Sequence, residues 1–180
     1  MRYARYNTEG STGLFVQLIP VELSGYDIWE LAQEFQEGNE MSEGKLGCTV
    51  MFSPKYKGNY KAVTKVHKQN PNKIKSLVTS VYTKTDGIHA YVCANVVSKR
   101  IHMLNAYLTR CGAKHNRMPF DPHIVLWKHS MFGEGDHFFN MRNFGMGEKI
   151  DAINAKLAKH PLYVEFRLGT FLSIVPQEEQ

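Results

Sequence analysis

Apolar and polar positions change period several times along this chain, and each change marks an element. Residues 14–23 (LFVQLIPVEL) form an apolar run interrupted at Pro20, which predicts a strand ending there. Ile28, Leu31, Ala32 and Phe35 then recur at i, i+3, i+4 and i+7, the buried stripe of a helix. Ser24 or Asp27 is the expected cap of that helix, and Gly38 with Asn39 its end. Residues 46–53 (LGCTVMFS) predict a strand closed by Pro54, and residues 59–67 a short helix before a loop at Pro71. Strands over 75–83 and 89–96 flank Thr85-Asp86-Gly87, a hairpin signal. Ile101, Leu104, Leu108 and Cys111 share one helical face that ends at Gly112. Residues 123–128 (HIVLWK), led in by Pro122, predict another strand. Ile150, Ile153 and Leu157 mark a third helix with Pro161 beyond it, and residues 162–175 read as strand with a break or bulge at Gly169. The order β-α-β, an irregular basic stretch, β-β-α-β, α-β predicts an α+β sheet with helices packed on it.

Composition narrows the class without choosing a function. The 180 residues are 43% hydrophobic and 22% charged, which suits one globular domain with its own core. The expected organisation is a single domain over 1–180, with a polar segment at 1–12, the fold at 13–175 and a tail at 176–180. Cys48, Cys93 and Cys111 are an odd number, too widely spaced for a zinc knuckle, and two of them lie in apolar runs. A reduced, cytoplasmic setting is therefore expected. Residues 1–13 lack an apolar signal core, and no apolar run nears the ~18 residues of a membrane span. Neither metal nor cofactor is expected: no cluster has metal spacing, and the glycines at 133, 135, 145 and 147 lack the context of a nucleotide-binding loop.

Charge changes the picture more. Residues 44–120 hold fourteen Lys and Arg against one acid, Asp86, a balance of +13 that leaves −8 for the remainder. Such segregation points to an anionic partner: a nucleotide, RNA, or an acidic protein surface. Residues 132–144, rich in Phe, Gly and Met, read as a binding loop or a homo-oligomer contact.

Two short segments carry a family resemblance. Pro119-Phe120-Asp121-Pro122-His123-Ile124-Val125-Leu126 resembles the second signature of the two-histidine (2H) phosphoesterases, in which an aromatic, any residue, Pro and His precede a Thr or Ser two residues on. Leu46-Gly47-Cys48-Thr49-Val50-Met51-Phe52-Ser53 resembles the first, His-x-Thr-Val with an aromatic and Ser. The wording is most similar to the phage anti-CBASS branch, whose members degrade the cyclic oligonucleotides of bacterial immunity. The resemblance covers about residues 12–175. It implies two pseudo-symmetric lobes of antiparallel sheet, flanked by helices, around a central groove.

In such a fold residues i and i+2 of a strand face the groove together. The resemblance implies that one histidine takes a proton from the attacking hydroxyl and the other protonates the leaving oxygen. The hydroxyls donate to the phosphate, and no metal is needed. This chain departs twice. Gly47 stands at the first histidine and Val125 at the second hydroxyl, leaving Thr49 and His123 as the residual catalytic pair. Loss of an acid or base removes ~10²–10⁴ in rate, and loss of a hydroxyl donor another ~10²–10³. His67, His89 or His115 could fill the vacancy only with tertiary help.

The expectation is a catalytically degenerate 2H fold that binds and sequesters an anionic nucleotide, a cyclic oligonucleotide by resemblance, as a phage counter-defence protein in the host cytoplasm. Whether it is an enzyme stays open, leaning against. The alternatives are an active phosphodiesterase working through His123 and an RNA-binding module. Gly47 is expected to open room for a base or sugar beside Thr49, His123 and Val125. Strand alternation places Trp127 with His123 as a stacking platform, and Met51 with Thr49. Phe120 and Phe15 are further candidates for ligand contact, and Tyr56 and Tyr60, interleaved with Lys55, Lys57 and Lys61, read as a base-and-phosphate clamp.

Overall fold

Alternating burial in strand after strand, apolar toward the helices and mixed on the other side, sets the architecture. The computed structural model describes residues 13–35, 46–54, 56, 65, 73–86, 88–115, 119–130 and 146–174. Within these, six strands and three helices follow the expected order: β1 (Gly13–Pro20), α1 (Glu22–Gln33), β2 (Cys48–Ser53), β3 (Ile74–Thr85), β4 (His89–Val97), α2 (Lys99–Arg110), β5 (His123–Ser130), α3 (Met146–Lys159) and β6 (Leu162–Ile174). The fold is α+β, with every strand pair antiparallel. Apart from residue 65, which is helical, the expected short helix at 59–67 lies outside the described residues, as does the Gly38-Asn39 stop. Among the described residues no helix is long and apolar enough to cross a membrane.

Strand order shows the two lobes. The ring runs β2-β1-β6-β3-β4-β5 and returns to β2. That order is palindromic: β1-α1-β2 on one side matches β4-α2-β5 on the other, and β6 and β3 meet at the middle. The β3–β6 seam joins the lobes through five residue pairs, from Ile74↔Phe166 to Val78↔Leu162. At the opposite side β2 and β5 share one pair, Cys48↔Ile124, and diverge from it. The helices brace the lobes crosswise. Helix α1 packs on β1, β6 and the β5 of the other lobe, whereas α2 packs on β2 and β3, and α3 on β3. Asn105 of α2 donates from Nδ2 to the Val50 carbonyl at 2.7 Å, tying that helix to β2. The core is one cluster in which Leu18, Ile28, Ile101, Leu108, Ile124 and Phe166 are buried together.

Local chemistry explains the element ends. Pro20 closes β1, and α1 starts at Glu22 with Val21 at its cap, a turn ahead of the expected Ser24 or Asp27. Ser24 is occupied elsewhere: its Oγ accepts the Glu165 amide of β6 at 2.8 Å. Helix α2 ends as expected at Gly112, whose φ of +90° suits glycine, and the Ala113 amide reaches back to the Leu108 carbonyl at 3.1 Å. In the β3–β4 hairpin, Asp86 Oδ1 accepts the amides of Ile88 and His89 at 3.0 and 2.8 Å.

Bulges matter most for the site. Gly169 is skipped between the pairs Gln17↔Thr170 and Leu18↔Leu168, so the bulge read from the sequence is present in β6. A β-carbon there would run into the Ile19 side chain, which explains the glycine. Two further bulges carry no sequence signal. Val50 is skipped between Val16↔Met51 and Gln17↔Thr49, and Leu126 between Val92↔Trp127 and Cys93↔Val125. Each follows directly on the second residue of a motif, so the pseudo-symmetry holds residue by residue.

Candidate functional site

The divergence of β2 from β5 leaves a cavity of about 310 Å³ between the motif strands. It is lined by Thr49 and Phe52 of β2, Phe15 of β1, Lys84 of β3, Tyr91 and Cys93 of β4, and His123 and Val125 of β5. His115, Pro119 and Asp121 complete it from the chain between α2 and β5. The lobes contribute matching positions: Thr49 corresponds to Val125, and Phe15 to Tyr91.

His123 is held in one orientation. Its Nδ1 lies 2.7 Å from the Asp121 carbonyl oxygen, which only accepts, so Nδ1 carries the proton. In the neutral ring Nε2 then presents its lone pair, and the Lys84 ammonium donates to it at 3.1 Å. Tyr82 meets the ring edge-on with centroids 6.5 Å apart, and its hydroxyl donates to Asp121 Oδ2 at 2.6 Å. Burial, followed by the hydrogen bond to Asp121, pushes the Tyr82 phenol well above its usual value of 10, so it remains a donor at any working pH. Burial likewise pushes the Cys48 thiol, at the β2–β5 contact opposite Ile124, up to about 12. On the hairpin Tyr91 donates to Asp86 Oδ2, and this bond, with the His89 amide, holds the Asp86 carboxyl well below the usual carboxylate range.

Several sequence expectations change here. Gly47 does not open room: a β-carbon on it would stand 2.5 Å from Gln17 Nε2 and 2.9 Å from the Leu18 carbonyl oxygen, because Gln17 covers the position. Trp127 and Met51 are fully buried, not groove-facing, since the bulges at Leu126 and Val50 reverse the alternation beyond Val125 and Thr49. Tyr56 is no clamp residue either. It is 1% exposed and donates to the Cys111 carbonyl at 3.0 Å. Phe120 packs between His102 and His115, at centroid distances of 5.4 and 5.5 Å. Lys55, Lys57, Tyr60, Lys61 and His67 lie outside the described residues. Of the other histidines weighed for the vacancy, His89 faces Asp86 in the hairpin, whereas His115 lines the cavity.

Sequence reading missed Lys84, Tyr91, Asp121 and Cys93. Parity within β3 puts Tyr82 and Lys84 on one face, but only the register with β4 and β5 tells which face that is. Among the described residues no group of three or more His, Cys, Asp or Glu could hold a metal ion.

Comparison with known proteins gives this geometry relatives. The family described as "Anti-CBASS protein Acb1" matches over residues 12–138. No curated protein matches the chain. Among solved structures, Usb1 of Kluyveromyces marxianus, determined with uridine monophosphate, is similar at a TM-score of 0.52 and 9% identity, covering 91% of this chain and 97% of that one. At that identity the likeness concerns the fold alone, which is the 2H phosphoesterase fold.

Proposed function

Because the chain belongs to the anti-CBASS protein Acb1 family, we propose that it acts by taking up a cyclic oligonucleotide immune signal in the β2–β5 cavity and holding it uncut. The family places the protein in phage counter-defence, and the proposed setting is the host cytoplasm. One observation carries the choice of holding over cutting. Thr49 and His123 line one cavity, but the place opposite His123 in the motif pattern is Gly47 covered by Gln17, and the second hydroxyl is Val125. Of the two motif histidines one is present, where the family's reaction uses both. The lining that is left suits retention: aromatic rings of Phe15, Phe52 and Tyr91 for bases, and the donors Thr49 and Lys84 for phosphate.

A second reading has an observation of its own. His115 lines the same cavity as His123 and would serve as the missing acid or base of a metal-independent phosphodiesterase. Incubation of excess protein with a panel of cyclic and linear oligonucleotides, without added metal, separates the two. On filtration, intact ligand should vanish from the filtrate and return when the protein is denatured. Linear or 2′,3′-cyclic products would overturn sequestration, and their loss in both His115→Ala and His123→Ala would establish the two-histidine enzyme. Tight binding of long RNA with a steep salt dependence would instead support an RNA-binding module.

A further inference from the structure

Lys84, inside the cavity, is partnered unlike Lys73, which stands just before β3. Lys73 is exposed and pairs with Glu165 at 2.9 Å. Lys84 is half-buried, and among the described residues its ammonium forms no ion pair with a carboxylate. Its partner is His123 Nε2, at 3.1 Å. An ammonium has three donors, and a neutral imidazole nitrogen accepts only one hydrogen bond. That contact engages one of the three donors, in a cavity lined as well by Thr49, Asp121 and three aromatic rings.

Pseudo-symmetry sharpens the point. Lys84 stands opposite Tyr91, and the corresponding position opposite Phe15 is Leu172. At this pair of equivalent positions, the charge stands in the half that keeps its histidine. Resting on the nucleotide-binding reading above, we infer that Lys84 is the phosphate anchor of the cavity. Its ammonium turns from His123 to a non-bridging oxygen of a phosphodiester, supplying the donor that Gly47 and Val125 do not. The Thr49 hydroxyl donates to the same phosphate, and His123 Nε2 becomes an acceptor for a ribose hydroxyl.

The test uses the full chain, with Lys84→Gln and Lys84→Arg compared at matched thermal midpoints. Two probes are read: inorganic phosphate, through the ring signals of His123 in nitrogen-15 spectra, and 3′,3′-cyclic di-adenylate, by calorimetry. Phosphate should move the His123 signals of the wild type but not those of Lys84→Gln. Affinity for the dinucleotide should fall about 10- to 100-fold in Lys84→Gln, the scale of one charge-assisted hydrogen bond, and be largely kept in Lys84→Arg. Undiminished dinucleotide binding by Lys84→Gln would overturn the anchor and leave the binding reading intact. If the wild type bound no cyclic or linear oligonucleotide, yet phosphate still acted on His123 through Lys84, the nucleotide reading would fail and the anchor would stand. Wild-type His123 signals unmoved by phosphate would overturn the anchor.

Discussion

At Gly47 the missing histidine is not a vacancy awaiting its side chain. A β-carbon there meets Gln17 at 2.5 Å and the Leu18 carbonyl at 2.9 Å, and only the first neighbour can swing away. Gly47→His is accordingly expected to destabilise the fold by about 1–3 kcal/mol, the usual scale of overpacking. Adding Gln17→Ala should recover part of that loss. Urea unfolding midpoints decide it, and an unchanged midpoint for Gly47→His would contradict the crowding. Cysteine chemistry gives a second expectation at this scale. Cys48 and Cys93 are buried, Cys111 is partly exposed, and the Cys48 thiol is pushed up to about 12. Thiol titration of the native protein at pH 8 should find one reactive cysteine, Cys111, and three after unfolding. Much at this scale was legible in the sequence. Gly47-x-Thr49 and His123-x-Val125 name the strands that bound the cavity, because motif spacing is a local property. Lys84 was not legible, since its place beside His123 depends on a strand far from it in sequence. Asp121 lies two residues before His123, but it holds Nδ1 through its backbone carbonyl, which no side-chain type announces.

Elements were readable wherever one residue type signals the geometry. The bulge at Gly169 announces itself because glycine in a strand tolerates a close neighbour, here Ile19. The bulges at Val50 and Leu126 sit at ordinary strand residues, so alternation carried past them assigned Met51 and Trp127 to the wrong face. Another strand irregularity has a helical support. Asn154 of α3 accepts the Val81 amide with Oδ1 at 2.7 Å and donates from Nδ2 to the Val81 carbonyl at 3.0 Å, satisfying both backbone groups near the register shift of β3 between Val78 and Ser80. Asn154→Ala leaves two partly buried groups without those partners, and a loss of about 1–3 kcal/mol is expected. Chemical denaturation would show it, and a neutral result would mean that water replaces the amide at no cost.

For the whole molecule, acid stability follows from the hairpin that carries Tyr91. Asp86 has its carboxyl held below its ordinary 3.8 by the Tyr91 hydroxyl and the His89 amide. A group lowered in the folded state stabilises above its unfolded value and loses that contribution as pH falls toward its folded value. Thermal midpoints should therefore drop below about pH 4, and Asp86→Asn should flatten that limb while lowering stability at neutral pH. Equal slopes in the two proteins would remove Asp86 as the cause. The +13 middle segment predicted an anionic partner from composition, but part of it lies in residues outside the described structure; among the described residues, Lys84 is the member of that segment's Lys and Arg that lines the cavity. The crosswise bracing carries one more consequence. The gap between β2 and β5 is spanned by one strand pair, while each of these strands rests on the helix of the opposite lobe. The width of that gap can thus be set from the back of the molecule: substitutions under α1 or α2, at Ile28, Ile101 or Leu108, would widen or narrow the mouth without altering any residue that lines the cavity. A comparison confined to the lining residues would miss such a change.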